Sequence, residues 1–220
     1  METAGDDPKD VGASVLSTIF SHAEPPAEVI SGLVSHKESF GTGWLVLQFI
    51  KQMGVGLPLE KLDLTGPHVC KGPRLIMLNR FLQSLRVGVG GFGKRVPASL
   101  KTLNLSKCDL SDSAGMNLLH SLPPSLEHLD LSENRLRLLS MEALKTAFID
   151  DTLSKLLYLD VSKNPLGPSG VATLARGLSG SRGALLLQTL KLKRTGTKNE
   201  GVKALSEPSK EGKTPSLQRC

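Results

Sequence analysis

Residues 126–136 read LEHLDLSENRL and form the most regular pattern in the chain. Leucines stand at positions 1, 4, 6 and 11 of this stretch, and an asparagine stands at position 9. Leu129 and Leu131 alternate with polar residues, which places their side chains on one face of a short strand. Asn134 follows where the chain must turn, and its amide can pair with backbone groups that a bend leaves without partners. A segment this short cannot bury its leucines alone, so the pattern predicts further copies that stack on it.

Four other segments repeat the pattern. They begin at Leu59 (LEKLDLTGPHV), Leu100 (LKTLNLSKCDL), Leu156 (LLYLDVSKNPL) and Leu187 (LQTLKLKRTGT), with successive starts separated by 41, 26, 30 and 31 residues. Position 9 holds Pro67, Cys108, Asn134, Asn164 and Thr195. Pro67 cannot take the part of an asparagine there, whereas Cys108 is predicted to fill the same slot as an inert side chain.

A helical pattern follows the strand segments. In three copies this helical pattern begins nine residues after position 6, at Ser140, Gly170 and Gly201. A leucine follows four residues after each of these starts. The extra length of the first copy predicts an inserted helix over 74–86, with Leu75, Leu78, Leu82 and Leu85 facing inward. A glycine-rich loop at 88–97 comes after it. The alternation of strands and helices predicts an α/β fold.

The strand pattern is that of a leucine-rich repeat, L-x-x-L-x-L-x-x-N-x-L. Over residues 59–206 the chain resembles the ribonuclease-inhibitor subfamily of these repeats, which also occurs in Ran GTPase-activating proteins and NOD-like receptors and has helical returns and repeats of about 28 residues. The resemblance implies a right-handed α/β leucine-rich-repeat solenoid. Such a solenoid has a short parallel sheet on its concave side, helices on its convex side and a helical N-terminal cap.

The chain divides into four predicted regions. Residues 1–10 are expected to be disordered, 11–57 to form the helical N-terminal cap, 58–206 to form five repeats, and 207–220 to form a polar tail. A separate helical interaction module is the alternative for 11–57. Residues 217–220 look like the start of a truncated sixth repeat, although the tail could instead cover the solenoid edge loosely.

Composition limits the class of protein. The 220 residues fit one domain with a sizeable core, and the formal charge is +6. From residue 188 onward, eight Lys or Arg stand against three Glu, so most of the excess charge lies in the last copy. Three cysteines at 70, 108 and 220 form no disulfide framework, which favours a reducing compartment. With neither a signal peptide nor a membrane helix in the sequence, we expect a soluble cytoplasmic protein, with the nucleus as the alternative.

Motifs that carry chemistry are weak. Gly88, Gly93 and Lys94 match most of a Walker A loop, but such a loop needs a strand before it and a helix after it, and here that order is reversed. A surface loop is the simpler interpretation, although its amides with Lys94 and Arg95 could touch an anionic partner. The five histidines are scattered, no Cys-x-x-Cys pair exists, and a His68–Cys70 pair lacks a third orienting group. We therefore expect no catalytic site, no metal and no cofactor.

The concave strand face is the better candidate for function. Positions 3, 5, 7 and 8 of each copy flank the buried leucines. Because neighbouring strands are about 4.8 Å apart, equivalent positions of successive copies form rows across the sheet. The Asp and Ser of L-D-L-S are common in such repeats, so His128, Tyr158 and the basic group at 191–194 are more informative. The predicted partner-binding residues are Thr102, Asn104, His128, Asp130, Glu133, Tyr158, Asp160, Lys191, Lys193 and Arg194.

These residues favour a non-enzymatic protein-interaction module or scaffold that binds a protein on its concave face. The partner could carry an acidic segment to meet the basic group. Nucleic acid is disfavoured, because aromatic residues make up only 4% of the chain and do not interleave with the basic ones. The alternatives are a regulator of a small GTPase, which the resemblance allows, and a structural subunit of a cytoskeletal or ciliary assembly.

Overall fold

In a computed structural model of the chain, the described residues are 60–66, 72–87, 100–181 and 185–210. They form strands and helices in strict alternation. The strands are β1 (Lys61–Asp63), β2 (Thr102–Asn104), β3 (His128–Asp130), β4 (Tyr158–Asp160) and β5 (Thr189–Lys191). The helices are α1 (Pro73–Val87), α2 (Asp112–Leu119), α3 (Leu138–Ile149), α4 (Gly167–Gly180) and α5 (Lys198–Lys210). The predicted disordered segment 1–10, the cap 11–57, the glycine-rich loop 88–97 and the sixth-repeat start 217–220 lie outside the described residues.

The five strands form one parallel sheet in the order β1-β2-β3-β4-β5. The register pairs equivalent positions of successive copies, so His128 stands opposite Tyr158, and Asp130 stands opposite Asp160. The same holds at every other pair of neighbouring strands. Parallel strands need a crossover between them, and the helices supply it. The alignment of the five copies is therefore confirmed at the level of single residues.

The core lies between the sheet and the helices. Position 4 of every strand is buried, from fully covered Leu129 to Leu190 at 5% exposure. On the helix side, Leu78, Leu82 and Leu85 of α1 are buried as predicted, while Leu75 is only partly covered and packs at the edge of the core. Each helix packs against the helix of the next repeat. The predicted α/β leucine-rich-repeat solenoid is confirmed over the described residues.

The position-9 side chain closes the turn after β2, β3 and β4. The Asn134 amide donates to the carbonyl oxygens of Leu105 at 2.8 Å and Leu131 at 2.9 Å, and its Oδ1 accepts from the Leu110 N–H at 3.0 Å. Asn164 repeats this arrangement one copy later. Cys108 is fully buried in the equivalent place, as expected, with its Sγ 3.1 Å from the carbonyl oxygen of Leu64. These side chains pair with backbone groups of two neighbouring copies and so join the repeats to each other.

Candidate functional site

We call the side of the sheet that carries positions 3 and 5 the strand face. Position 3 forms a row across all five strands, and position 5 forms a second row beside it. The position-3 row is Lys61, Thr102, His128, Tyr158 and Thr189, and the position-5 row is Asp63, Asn104, Asp130, Asp160 and Lys191. The two rows therefore bring six of the ten predicted binding residues onto β2, β3 and β4, and a seventh, Lys191, onto β5.

Tyr158 stands on β4, between His128 on β3 and Thr189 on β5, and is half-buried. Its ring lies 5.8 Å from the His128 ring, centroid to centroid, and the Lys191 ammonium lies 5.1 Å from the Tyr158 centroid. The Tyr158 hydroxyl is 3.3 Å from Oδ2 of Asp160. An aromatic ring held by a hydrogen bond, a second ring and a cation is pre-organised, so little side-chain entropy is lost when a partner covers it.

The acidic position-5 row has a structural role that lowers its value for binding. Oδ1 of Asp130 accepts from the Ser132 N–H at 2.9 Å, and Oδ1 of Asp160 accepts from the Ser162 N–H at 2.8 Å. Each carboxylate thus fixes the bend at the end of its own strand. One oxygen of each is already occupied, in agreement with the interpretation that L-D-L-S is a general feature of these repeats.

Asp160 corrects the sequence-based expectation that position 5 points out to solvent. It is only 8% exposed, whereas Asp130 is half-buried. The reason is local, because the Tyr158 hydroxyl contacts its second oxygen and the side chain of Lys191 stands next to it in register. Asp160 therefore positions Tyr158, and its direct contact with a partner stays a prediction.

Thr102 and Asn104 both lie on β2, two strands away from Tyr158. Thr102 neighbours His128 in register, and the Asn104 amide donates to Oδ2 of Asp63 at 3.2 Å. Oδ1 of Asn104 accepts from the Ser106 N–H at 3.0 Å. Thr102 extends the strand face beyond His128, while the Asn104 side chain is engaged at both ends.

The β5 end of the strand face is basic. Lys191 replaces the acidic residue of position 5, so no carboxylate is available to accept from the Lys193 N–H. The Ser162 hydroxyl of the previous copy accepts that bond instead, at 3.1 Å. This substitution keeps the bend of the last copy while reversing the charge of its position 5. Lys193 and Arg194 follow with exposed side chains.

Position 8 has a backbone feature that the sequence did not reveal. Its φ is positive in every copy, at Gly66, Lys107, Glu133, Lys163 and Arg194. Only Gly66 has the residue type that signals a left-handed conformation, so the other four could not be recognised from residue type. The strained turn aims the position-8 side chains along one edge of the sheet.

Glu133 sits among cations on that edge. Its carboxylate is 2.8 Å from the Lys163 ammonium and 3.9 Å from the Lys107 ammonium. The hydrogen bond from Lys163 lowers the pKa of the Glu133 carboxyl, and the positive charge of Lys107 adds to this effect. Glu133 is thus paired within the protein, and its role as a contact for a partner stays a prediction.

Other kinds of site are not seen in the part of the chain that the structure describes. No group of three His, Cys, Asp or Glu residues there could hold a metal ion. None of the helices described above is both long and apolar enough to cross a membrane. The strand face therefore remains the candidate site.

Comparison with known families agrees with this architecture. Family models described as Leucine Rich repeat match residues 96–119 and 152–175, and a model described as Leucine Rich Repeat matches 125–146. The chain contains leucine-rich repeats. These matches cover three of the strand–helix units described above, including the Tyr158 strand. Leucine-rich repeats are commonly protein-interaction modules and are typically non-enzymatic. A comparison with curated proteins found no match.

Proposed function

We propose that this leucine-rich-repeat chain is a non-enzymatic interaction module whose strand face binds another protein around Tyr158. The observation that carries the proposal is the contact among His128, Tyr158 and Lys191. Each departs from the repeat pattern, and they come from three different strands. The repeat pattern itself does not require contacts between these three side chains.

The chemistry of this cluster suits a protein surface. Tyrosine is enriched where interfaces bind most strongly, since its ring buries apolar area with few rotatable bonds while its hydroxyl stays paired. A sheet of parallel strands also offers a broad contact area without a deep pocket. Thr102, His128 and Asp130 extend this area towards β2.

The test is affinity purification of the tagged full chain from cells, with co-eluting proteins quantified by mass spectrometry. We expect Tyr158→Ala to lose the main partner, because it removes the central ring. Leu139→Ala is the matched control, since Leu139 is an exposed apolar residue (48%) on α3, away from the strand face. Thermal melts should show that both variants remain folded. Equal recovery of every partner by wild type and Tyr158→Ala would refute the proposal.

The finer sequence-based expectations stay predictions. No contact among the described residues favours a small-GTPase regulator or a cytoskeletal or ciliary subunit over a general interaction module. The same applies to the ribonuclease-inhibitor subfamily and to the cytoplasm or nucleus as location.

A further inference from the structure

We infer that the partner presents an acidic linear peptide, with an apolar or aromatic side chain on Tyr158 and carboxylates for Lys191, Lys193 and Arg194. This inference rests on the proposed function and adds the chemistry of the partner. We define the basic end of the strand face as Lys191, Lys193 and Arg194. The argument uses charge complementarity between this end and the peptide.

The basic end differs from the position-8 lysines of the earlier copies. Lys107 and Lys163 have Glu133 between them, so one of their two positive charges is offset within the protein. Lys193 and Arg194 are exposed, and neither forms an ion pair with an acidic residue of the described chain. Two exposed cations next to a third give a local positive potential that attracts carboxylates.

The acidic residues of the strand face form no ion pair with Lys193 or Arg194 in the described part of the chain. Oδ1 of Asp63 accepts from both the N–H and the hydroxyl of Thr65, at 2.9 and 2.6 Å. Asp160 is buried, and its two oxygens are engaged by the Tyr158 hydroxyl and the Ser162 N–H. The acids are therefore held in local bonds over β1–β4, and two exposed cations follow β5.

The spacing fits a single extended peptide. The Lys191 ammonium already lies 5.1 Å from the Tyr158 centroid, and Lys193 follows two residues further along the chain. That step spans at most about 7 Å, and neighbouring strands are about 4.8 Å apart. A bound peptide rising about 3.3 Å per residue would reach the basic end within about three residues of the side chain on Tyr158. The peptide should therefore carry its acidic residues close to one apolar residue.

A protein segment is favoured over a nucleic acid at this site. Single-stranded nucleic acid binds through several aromatic platforms interleaved with cations. On the described strand face, Tyr158 and His128 are the only rings, and both lie on one side of the basic end. A peptide needs only one apolar contact beside its charges.

The experiment is selection of a phage-displayed library of random linear peptides on the full chain. We expect enriched peptides to carry Asp or Glu within about three residues of an aromatic or large aliphatic residue. Synthetic copies should bind on the order of tenfold more weakly to Lys193→Glu/Arg194→Glu, because two attractions become repulsions. Binding should also weaken as NaCl is added.

The matched control is Lys155→Glu/Lys203→Glu, which makes the same change in net charge. Lys155 precedes β4, and Lys203 lies on α5, and both side chains are exposed. This control should bind the peptides as wild type does. Equal loss in both double variants would show a general charge effect and overturn the inference.

The outcomes separate this inference from the proposed function. Enriched peptides without acidic residues that fail to bind Tyr158→Ala would overturn the acidic partner and leave the strand face as the binding surface. Enriched peptides that bind Tyr158→Ala as tightly as wild type would overturn both. Two further results would overturn the inference of an acidic peptide partner. One is that the selection enriches no peptides, and the other is that single-stranded oligonucleotides displace the enriched peptides.

Discussion

At the scale of single residues, Asn134 joins two copies through its side chain. Replacing it by alanine removes its bonds to the Leu105 carbonyl oxygen and the Leu110 N–H, which are buried, and one of the two amide bonds to the Leu131 carbonyl oxygen. We expect Asn134→Ala to lower the free energy of unfolding by about 2–4 kcal/mol, because several buried groups lose their bonds together. Urea titration followed by circular dichroism measures the change. The control is Asn117→Ala, at an exposed position of α2. A decrease in the free energy of unfolding no larger than in this control would contradict the assigned role.

The residues also show what the sequence could and could not predict. The period of the leucines predicted which side chains are buried, and the asparagine at position 9 predicted the turn. The burial of Asp160 was not predictable, because it depends on a contact with Tyr158 that no spacing reveals. The left-handed backbone at Lys107, Glu133 and Lys163 was also hidden, since these residue types rarely adopt it.

At the scale of elements, a carboxylate of one repeat caps the helix of the next. Asp112, at the start of α2, accepts from the N–H groups of Arg137, Leu139 and Ser140 at the start of α3, and from the Ser140 hydroxyl. These N–H groups have no partner within their own helix. This contact could not be predicted from the sequence, because Asp112 lies 28 residues before Ser140.

This cap predicts a pH dependence. Burial raises the pKa of the Asp112 carboxyl, but hydrogen bonds from Ser140 and from two further backbone N–H groups lower it, and the result lies below its ordinary value of 3.8. The folded state therefore favours the charged form, so its stabilisation is present above the ordinary pKa and is lost as the pH falls through the lower folded pKa.

We expect Asp112→Asn to lower the free energy of unfolding by about 1 kcal/mol at neutral pH, since an amide cannot accept through both positions. The difference from wild type should shrink towards zero at pH values below the ordinary pKa. Urea titrations at several pH values measure it, with Asp150→Asn at the other end of α3 as the control. A difference that stays constant down to acid pH would contradict the cap.

Close packing of α3 and α4 depends on Gly177. A Cβ at this position would lie 2.6 Å from Cα of Lys145, and a backbone atom cannot move aside as a side chain can. We expect Gly177→Ala to lower the free energy of unfolding by about 1–3 kcal/mol, although alanine is the better helix former. Gly180→Ala is the control, because its Cβ would meet only the side chain of Ile149. Equal melting temperatures of the two variants would contradict the account of this contact.

At the scale of the whole molecule, stacking of the repeats brings residues that differ from the repeat pattern onto one surface. His128, Tyr158 and Lys191 are far apart in the sequence, and the parallel register brings them together. The sequence predicted this surface, because the copies could be aligned residue by residue. It could not predict that Glu133 would be paired within the protein, since that depends on where the position-8 turn aims two lysines.

The most direct measurement of the central claim is site-specific photocrosslinking in cells. Thr189→p-benzoylphenylalanine places the crosslinker on the strand face beside Tyr158. Thr146→p-benzoylphenylalanine places it at an exposed position of α3. We expect a crosslinked protein partner from Thr189 and a much weaker product from Thr146. Crosslinks from Thr146 alone, or an absence of crosslinks from Thr189, would contradict binding on the strand face.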